Sequence, residues 1–216
     1  EGLSSALVTR LTDGASALIG EGIKSGPLEV SSGLTEAAIE AAHENRNLVF
    51  EIDEDAYFIE SVTPPSRLIL IGAVHIAQAL VPMDRIPGFQ VVVLDPRETF
   101  ATPERFPGVE IRTDWPDQAL KQLDVDDRTA VVVLTHDPKI DDPVLHLALT
   151  SPAFYVGALG SLQTQETRNN RLKERGLSAA DLGRLFGPVG LDIGSASPAE
   201  IAVSILAEII QEMRRG

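Results

Sequence analysis

RLILIGAVHIAQALVPMDRIPGFQVVVLDPR, from Arg67 to Arg97, decides the fold. It opens with an apolar run, Leu68 to Ile71, bounded by Pro65 and Gly72. That run is too short for a globular helix and suits a strand buried on both faces. His75 to Met83 reads as a helix. A second apolar run, Val91 to Leu94, ends in Asp95. Strand, glycine turn, helix, strand and acid make the βαβ unit of a Rossmann-type sheet. Asp95 stands near the place, about 20 residues beyond the turn, where an acid can bind the ribose hydroxyls of a dinucleotide.

The loop departs from the G-x-G-x-x-G pattern. Gly72-Ala73-Val74-His75-Ile76-Ala77 keeps the first glycine, and Ala77 is an accepted substitute for the third. The second glycine lets a pyrophosphate approach the backbone, and Val74 puts a β-branched side chain there. Val74→Gly is therefore expected to strengthen binding of a phosphate placed at this loop. On these residues alone, a Rossmann-like domain that binds no dinucleotide weighs equally.

The chain has 216 residues, enough for one large or two small domains. It has no cysteine, which removes disulfides, thiolate metal sites and a cysteine nucleophile. Its formal charge of −14, from 32 acids and 18 bases, would repel the phosphates of nucleic acid. The first residues lack a basic start and a long apolar core, and no run approaches the ~18 apolar residues of a membrane span. These features lead us to expect a cytoplasmic protein without a membrane partner.

The texture changes near residue 62. Before it, Ala6 to Thr9 suggests a short strand, and Gly14, Gly20, Gly22 and Gly26 punctuate a turn-rich segment. Leu34 to Glu44 reads as a helix with a solvated glutamate row opposite Leu34, Ala38, Ala41 and Ala42. Leu48 to Ile52 and Tyr57 to Val62 read as strands joined at Asp53-Glu54-Asp55. Residues 1–62 thus form a small α+β domain, and 63–66, with Pro64 and Pro65, a stiff linker. Residues 67–216 continue the α/β rhythm as a doubly wound parallel sheet. Strands are expected at 109–112, 129–134 and 153–156. Helices are expected at 116–123, with Asp114 as cap, at 141–149, and at 164–175. Ser178 opens a short helix. Ser197-Pro198-Ala199-Glu200 is a capping box before a helix striped by Ile201, Ile205, Leu206, Ile209, Ile210 and Met213. The first strand should be central, flanked by those at 90–95 and 130–135.

Ligands of open parallel sheets sit beyond the carboxyl ends of the strands. Four segments arrive there: Gly72 to His75, Asp95-Pro96-Arg97, Thr135-His136-Asp137 and Gly157 to Ser161. A fifth, Pro188 to Gly194, is expected to fold over the same edge. His75 and His136 stand at neighbouring strand ends, where they could do acid–base work near neutral pH. His136 is the candidate catalytic residue. No H-x-x-x-H or H-x-H pair pins two ligands together, so no metal site is expected. Gly157-Ala158-Leu159-Gly160-Ser161 is either an anion cradle or a helix entry capped by Ser161. Arg97 and Arg168 could add charge to a phosphate site, with a solvated surface role favoured for Arg168.

The carboxyl-terminal two thirds resemble the XdhC/CoxI family, accessory proteins that mature xanthine and carbon monoxide dehydrogenases. The matching residues are Leu70-Ile71-Gly72-Ala73 with His75, Asp95-Pro96-Arg97, Ala101 to Pro107, Thr135-His136-Asp137 and Gly157 to Ser161. The longest match is Gly190-Leu191-Asp192-Ile193-Gly194 followed by Pro198 to Ile209. The small domain looks like a shortened amino-terminal domain of that family. Ser32-Gly33-Leu34-Thr35-Glu36 takes the place of a Gly-Gly-Cys-x-Glu segment, with Leu34 for the cysteine.

The resemblance implies a factor that binds molybdenum cofactor, protects it during sulfuration by a cysteine desulfurase and delivers it to the large subunit of a molybdenum hydroxylase. The cofactor-binding residues it implies are Gly72, Ala73, His75, Asp95, Arg97, Thr135, His136, Asp137, Gly157, Gly160, Ser161, Gly190 and Asp192. Gly72 and the 157–161 loop would hold the pterin's phosphate. An NAD(P)-dependent oxidoreductase rests on the same residues, and a non-catalytic scaffold is a third reading. A homodimer is left open.

Overall fold

The computed structural model describes residues 4–52, 55–62, 64–84 and 88–215. The chain divides into two compact units, Glu1–Pro64 and Pro65–Gly216.

In the first unit the strands are β1 (Ser5–Arg10), β2 (Ser16–Gly20), β3 (Ile23–Ser25), β4 (Leu48–Ile52) and β5 (Asp55–Val62), with helix α1 (Ser32–His43) between β3 and β4. They form an antiparallel sheet of order β3-β2-β1-β5-β4. Alternation sets the faces: Ala6, Val8, Ala17, Ile19, Tyr57 and Ile59 are buried with Leu34, Ala38, Ala41 and Ala42 of α1. Leu34 is 1% exposed and serves packing in this unit. The turn-rich reading of residues 14–26 is corrected. Gly14 and Gly22, at φ +75° and +72°, make the tight reversals of two short hairpins. β2 lies between them and β3 follows Gly22, both too brief to show a period. Asp53 and Glu54 of the proposed strand connection, and Thr63 of the linker, lie outside the described residues.

The second unit contains β6 (Arg67–Ile71), α2 (His75–Asp84), β7 (Gln90–Leu94), β8 (Glu110–Arg112), α3 (Pro116–Gln122), β9 (Thr129–Val133) and α4 (Pro138–Leu149). It continues with β10 (Tyr155–Ala158), α5 (Leu162–Glu174), α6 (Ala179–Leu182), β11 (Leu185–Phe186) and α7 (Pro198–Met213). The sheet is parallel throughout, in the order β11-β10-β9-β6-β7-β8. β6 is central and lies between β7 and β9, as the apolar runs required. Leu68 to Ile71 are all 0% exposed, because helices cover both faces. Leu68, Leu70, Val93 and Val132 pack with Leu80, Ile205 and Ile209 of α2 and α7. Ile69, Ile71, Val131 and Val133 pack with Leu120, Leu145, Leu149 and Leu172 of α3, α4 and α5.

Local chemistry explains most helix boundaries. Ser197 and Glu200 close a capping box at α7, with Pro198 in the first turn. α4 begins at Pro138, earlier than expected, because Asp137 caps it and Pro138 suits a first-turn position. Asp114 does not cap α3; the cap position is Trp115, without a side-chain bond. β10 begins at Tyr155 and takes in Gly157 and Ala158, two residues beyond the expected strand. The two-residue β11 carries no periodic signal. Among the described residues no helix is long and apolar enough to cross a membrane.

Candidate functional site

The register of the sheet brings four strand ends to one edge. Ile71 pairs with Leu94 on one side and Val133 on the other. The Gly72 amide continues the ladder to the Leu94 carbonyl at 2.8 Å, and the Leu134 amide to Ile71 at 2.8 Å. The Leu159 amide reaches Val133 at 2.8 Å, and the Val189 amide reaches Ala158 at 3.1 Å. Loops 72–75, 95–97, 135–137 and 157–161 therefore meet at this edge, and the 188–194 loop joins them beside β10.

Asp95 organises the first two loops. It is 0% exposed. Its Oδ2 accepts from the Ala73 amide at 2.7 Å and from an Arg97 terminal nitrogen at 2.7 Å. Its Oδ1 accepts from the Arg97 amide and from Arg97 Nε, both at 2.9 Å. A carboxylate offers about four lone-pair sites, and protein donors fill them all. The ribose reading of Asp95 is thus corrected: its oxygens shape the loops. Burial raises its pKa, but the bonds from Arg97 and Ala73 outweigh that, and the carboxyl lies below the ordinary range. Arg97 also lies over the Phe100 ring, 4.6 Å from its centroid, and feels the charge of Asp137 across the edge.

Gly72 sits at φ +111°, and a Cβ there would stand 2.8 Å from Thr135 Cγ2. Only glycine lets these loops approach. Val74 packs its partly buried side chain against the α2–α7 core. Since the Ala73 amide is engaged by Asp95, Val74→Gly is now expected to leave phosphate affinity unchanged. It should cost about 1 kcal/mol through lost packing and backbone entropy, read by urea denaturation.

Thr135 and His136 follow β9 in the loop before α4. His136 is exposed and holds φ +63°, uncommon for a residue with a side chain. The Thr135 hydroxyl donates to Asp141, and Asp137 caps α4 through the Lys139 amide at 3.0 Å. His75 is exposed at the start of α2.

The 157–161 loop divides its duties. Gly157 lies within β10, where a Cβ would meet Val189 Cγ2 at 2.5 Å. It serves packing, which corrects its place in an anion cradle. A Cβ on Gly160 would come within 3.0 Å of Thr164 Cγ2. Ser161 caps α5, its Oγ accepting from the Thr164 amide at 3.2 Å. Ser161→Ala is expected to destabilise the fold by about 1 kcal/mol, measured as a lower urea midpoint at unchanged slope. Gly190 is fixed from outside the edge: Glu208 accepts its amide at 2.8 Å, and a Cβ would strike Ser204 Oγ at 2.4 Å. Glu208 also accepts from the buried Tyr155 hydroxyl, whose pKa rises through burial and that bond. Asp192 is exposed in the same loop.

The surface role expected for Arg168 is corrected. It is 1% exposed and belongs to a charged cluster with Asp141, Asp142 and Arg171. Arg171 grips both Asp142 oxygens, at 2.8 and 3.0 Å. Desolvation pushes the Asp141 pKa up against the Thr135 bond and the Arg168 charge, and pushes the Arg168 pKa down. No local signal marked Arg168, since its partners Asp141 and the Leu159 carbonyl lie outside the charged helix that carries it.

Comparison with known proteins places this edge in context. A family model described as the XdhC Rossmann domain matches residues 68–209. A protein of Bacillus subtilis (strain 168), named as a probable subunit of xanthine dehydrogenase, is 35% identical over 159 residues, 73% of this chain and 46% of that protein. The molybdenum cofactor insertion chaperone PaoD of Escherichia coli (strain K12) is 38% identical over 95 residues, 44% of this chain and 29% of that one. The crystal structure of a xanthine dehydrogenase from Bacillus halodurans aligns with a TM-score of 0.75 at 30% identity, covering 99% of this chain and 61% of that chain. The chain thus spans less than half the length of these two curated relatives. Because the matched span runs from β6 into α7 and holds every loop of this edge, the chain belongs to the XdhC family.

Proposed function

We propose that this chain is a maturation factor that binds molybdenum cofactor and assists its sulfuration and insertion into a xanthine dehydrogenase-type molybdoenzyme. Its partners on this reading are the large subunit of that enzyme and a cysteine desulfurase. The cofactor is cargo, and its redox chemistry is used by the client. The residues proposed to hold it are those of the loop edge, with His75, Arg97, Thr135, His136, Asp137, Ser161 and Asp192 bearing its polar groups. Gly72, Ala73, Asp95, Gly157, Gly160 and Gly190 fix the backbone that presents them.

One observation of the site carries the choice over a nicotinamide dinucleotide. Both dinucleotide anchors are engaged within the protein: the Ala73 amide donates to Asp95, and Asp95 has four protein donors. A pyrophosphate and a ribose diol would find neither the amide nor the acid. A phosphate-bearing pterin needs neither anchor, and Arg168, a buried cation with an orphaned Nε, suits an anionic cargo. The names of the Bacillus subtilis and Escherichia coli relatives support the same reading. On it, His136 serves to bind and orient.

The test is a titration of the full chain with molybdopterin cofactor and, separately, with NAD(H) and NADP(H). Saturable pterin binding without nicotinamide binding is expected. Micromolar nicotinamide binding without pterin binding would reverse the assignment to an oxidoreductase. Binding of neither would leave an interaction scaffold.

A further inference from the structure

A cleft of about 270 Å³ lies between the first turns of α4 and α5, lined chiefly by His136, Asp141, Gln163, Thr164, Thr167 and Arg168. Arg168 is a buried cation in this lining, 1% exposed. Its guanidinium donates to Gln165 Oε1 at 2.7 Å and to the Leu159 carbonyl at 2.8 Å, both neutral acceptors. The nearest paired carboxylate oxygen, on Asp141, stands at 3.8 Å, beyond hydrogen-bond reach. Nε has no partner. Native proteins rarely leave a buried donor without one. Arg171 shows the contrast, since both oxygens of Asp142 answer it. Asp141, the carboxylate of this lining, spends its Oδ1 on the Thr135 hydroxyl.

The helix ends add donors of the same kind. α5 has 13 residues, and Ser161 satisfies only the Thr164 amide of its first turn. The amides of Leu162 and Gln163 have no carbonyl within the helix to reach. At the Gly72 loop, by contrast, the Ala73 amide is already taken, accepted by Asp95 at 2.7 Å. The buried cation sets the α4–α5 cleft, beyond the ends of β9 and β10, apart as the place for the phosphate expected at that loop.

We propose that the α4–α5 cleft is an anion subsite for a phosphate monoester, with Arg168 and the first turn of α5 as its donors. The site stands on these residues alone. That the phosphate belongs to a pterin rests on the function proposed above.

The probe is inorganic phosphate, titrated into the full chain and followed by amide chemical shifts. Saturable shifts are expected at Gly160 and Leu162 to Thr164. Arg168→Gln removes the cation. Thr167→Asp adds a negative charge at an exposed rim position, where the fold tolerates it. Each should weaken phosphate roughly tenfold or more. No saturable shift, shifts confined to residues 73–75, or an unchanged affinity in Thr167→Asp would overturn the subsite. Molybdopterin, titrated into the same proteins, separates the two proposals. Pterin binding insensitive to both substitutions, in proteins whose phosphate binding they weaken, removes the pterin's phosphate from the cleft and leaves the maturation function. Phosphate binding in the cleft without any pterin binding keeps the subsite and removes that function.

Discussion

Asp95→Asn is expected to lower the unfolding free energy by about 2–4 kcal/mol and to weaken every ligand of the loop edge. Four donors converge on a carboxylate that is 0% exposed. Hydrogen bonds to a charged group contribute about 1.5–3 kcal/mol each, though not additively. The amide of Asn would turn a donor toward donors, leaving the Ala73 or Arg97 nitrogens unmatched. The loss stays below the full cost of a broken buried pair because the Arg97 side chain is 42% exposed and regains water. The effect carries a pH signature. The folded-state pKa of Asp95 is depressed, so its contribution is fully present above the ordinary aspartate value of about 3.9 and is lost as pH falls through the folded value. Urea denaturation of both proteins from neutral to acid pH should show their stabilities converging below that value. A gap that persists undiminished into acid would mean that the ion pair is not what Asp95 supplies.

What could be read in advance follows how far apart the interacting residues lie. The parallel sheet was legible because a strand covered on both faces must be apolar throughout, and Leu68 to Ile71 and Val91 to Leu94 are. The α7 capping box was legible because Ser197 and Glu200 are three residues apart and complete each other. The site was harder, because its residues take their meaning from distant partners. Gly157 looks like part of a phosphate loop until Val189 is found against it. Arg168 lies on a helix with a charged sequence, and only the fold sets it beside Asp141 and the Leu159 carbonyl. Asp95 is marked out by its place after β7. Its partner is two residues away in Arg97, but the second claim on it, from the Ala73 amide, needs the sheet.

The loops on either side of the switch point between β6 and β9 depend on one missing side chain. Gly72→Ala is expected to destabilise the protein by about 2–6 kcal/mol. The backbone share, at φ +111°, is about 1–3 kcal/mol. The remainder is overpacking, about 1–3 kcal/mol, because the new Cβ would stand 2.8 Å from Thr135 Cγ2 and 3.4 Å from its amide. That methyl cannot retreat freely, since the hydroxyl on the same carbon donates to Asp141. Thr135→Ser separates the two shares. It deletes the methyl and keeps the hydroxyl, and alone it should cost about 1 kcal/mol or less. Combined with Gly72→Ala, it should recover the steric share and leave the backbone share. The double variant should therefore be more stable than the sum of the single effects by at least about 1 kcal/mol. Strict additivity would show that the methyl contact carries nothing and that glycine is held at position 72 by its dihedral angle alone. The recovered variant should also regain ligand affinity lost in Gly72→Ala, because the strain otherwise passes through Thr135 to Asp141 and on to Arg168.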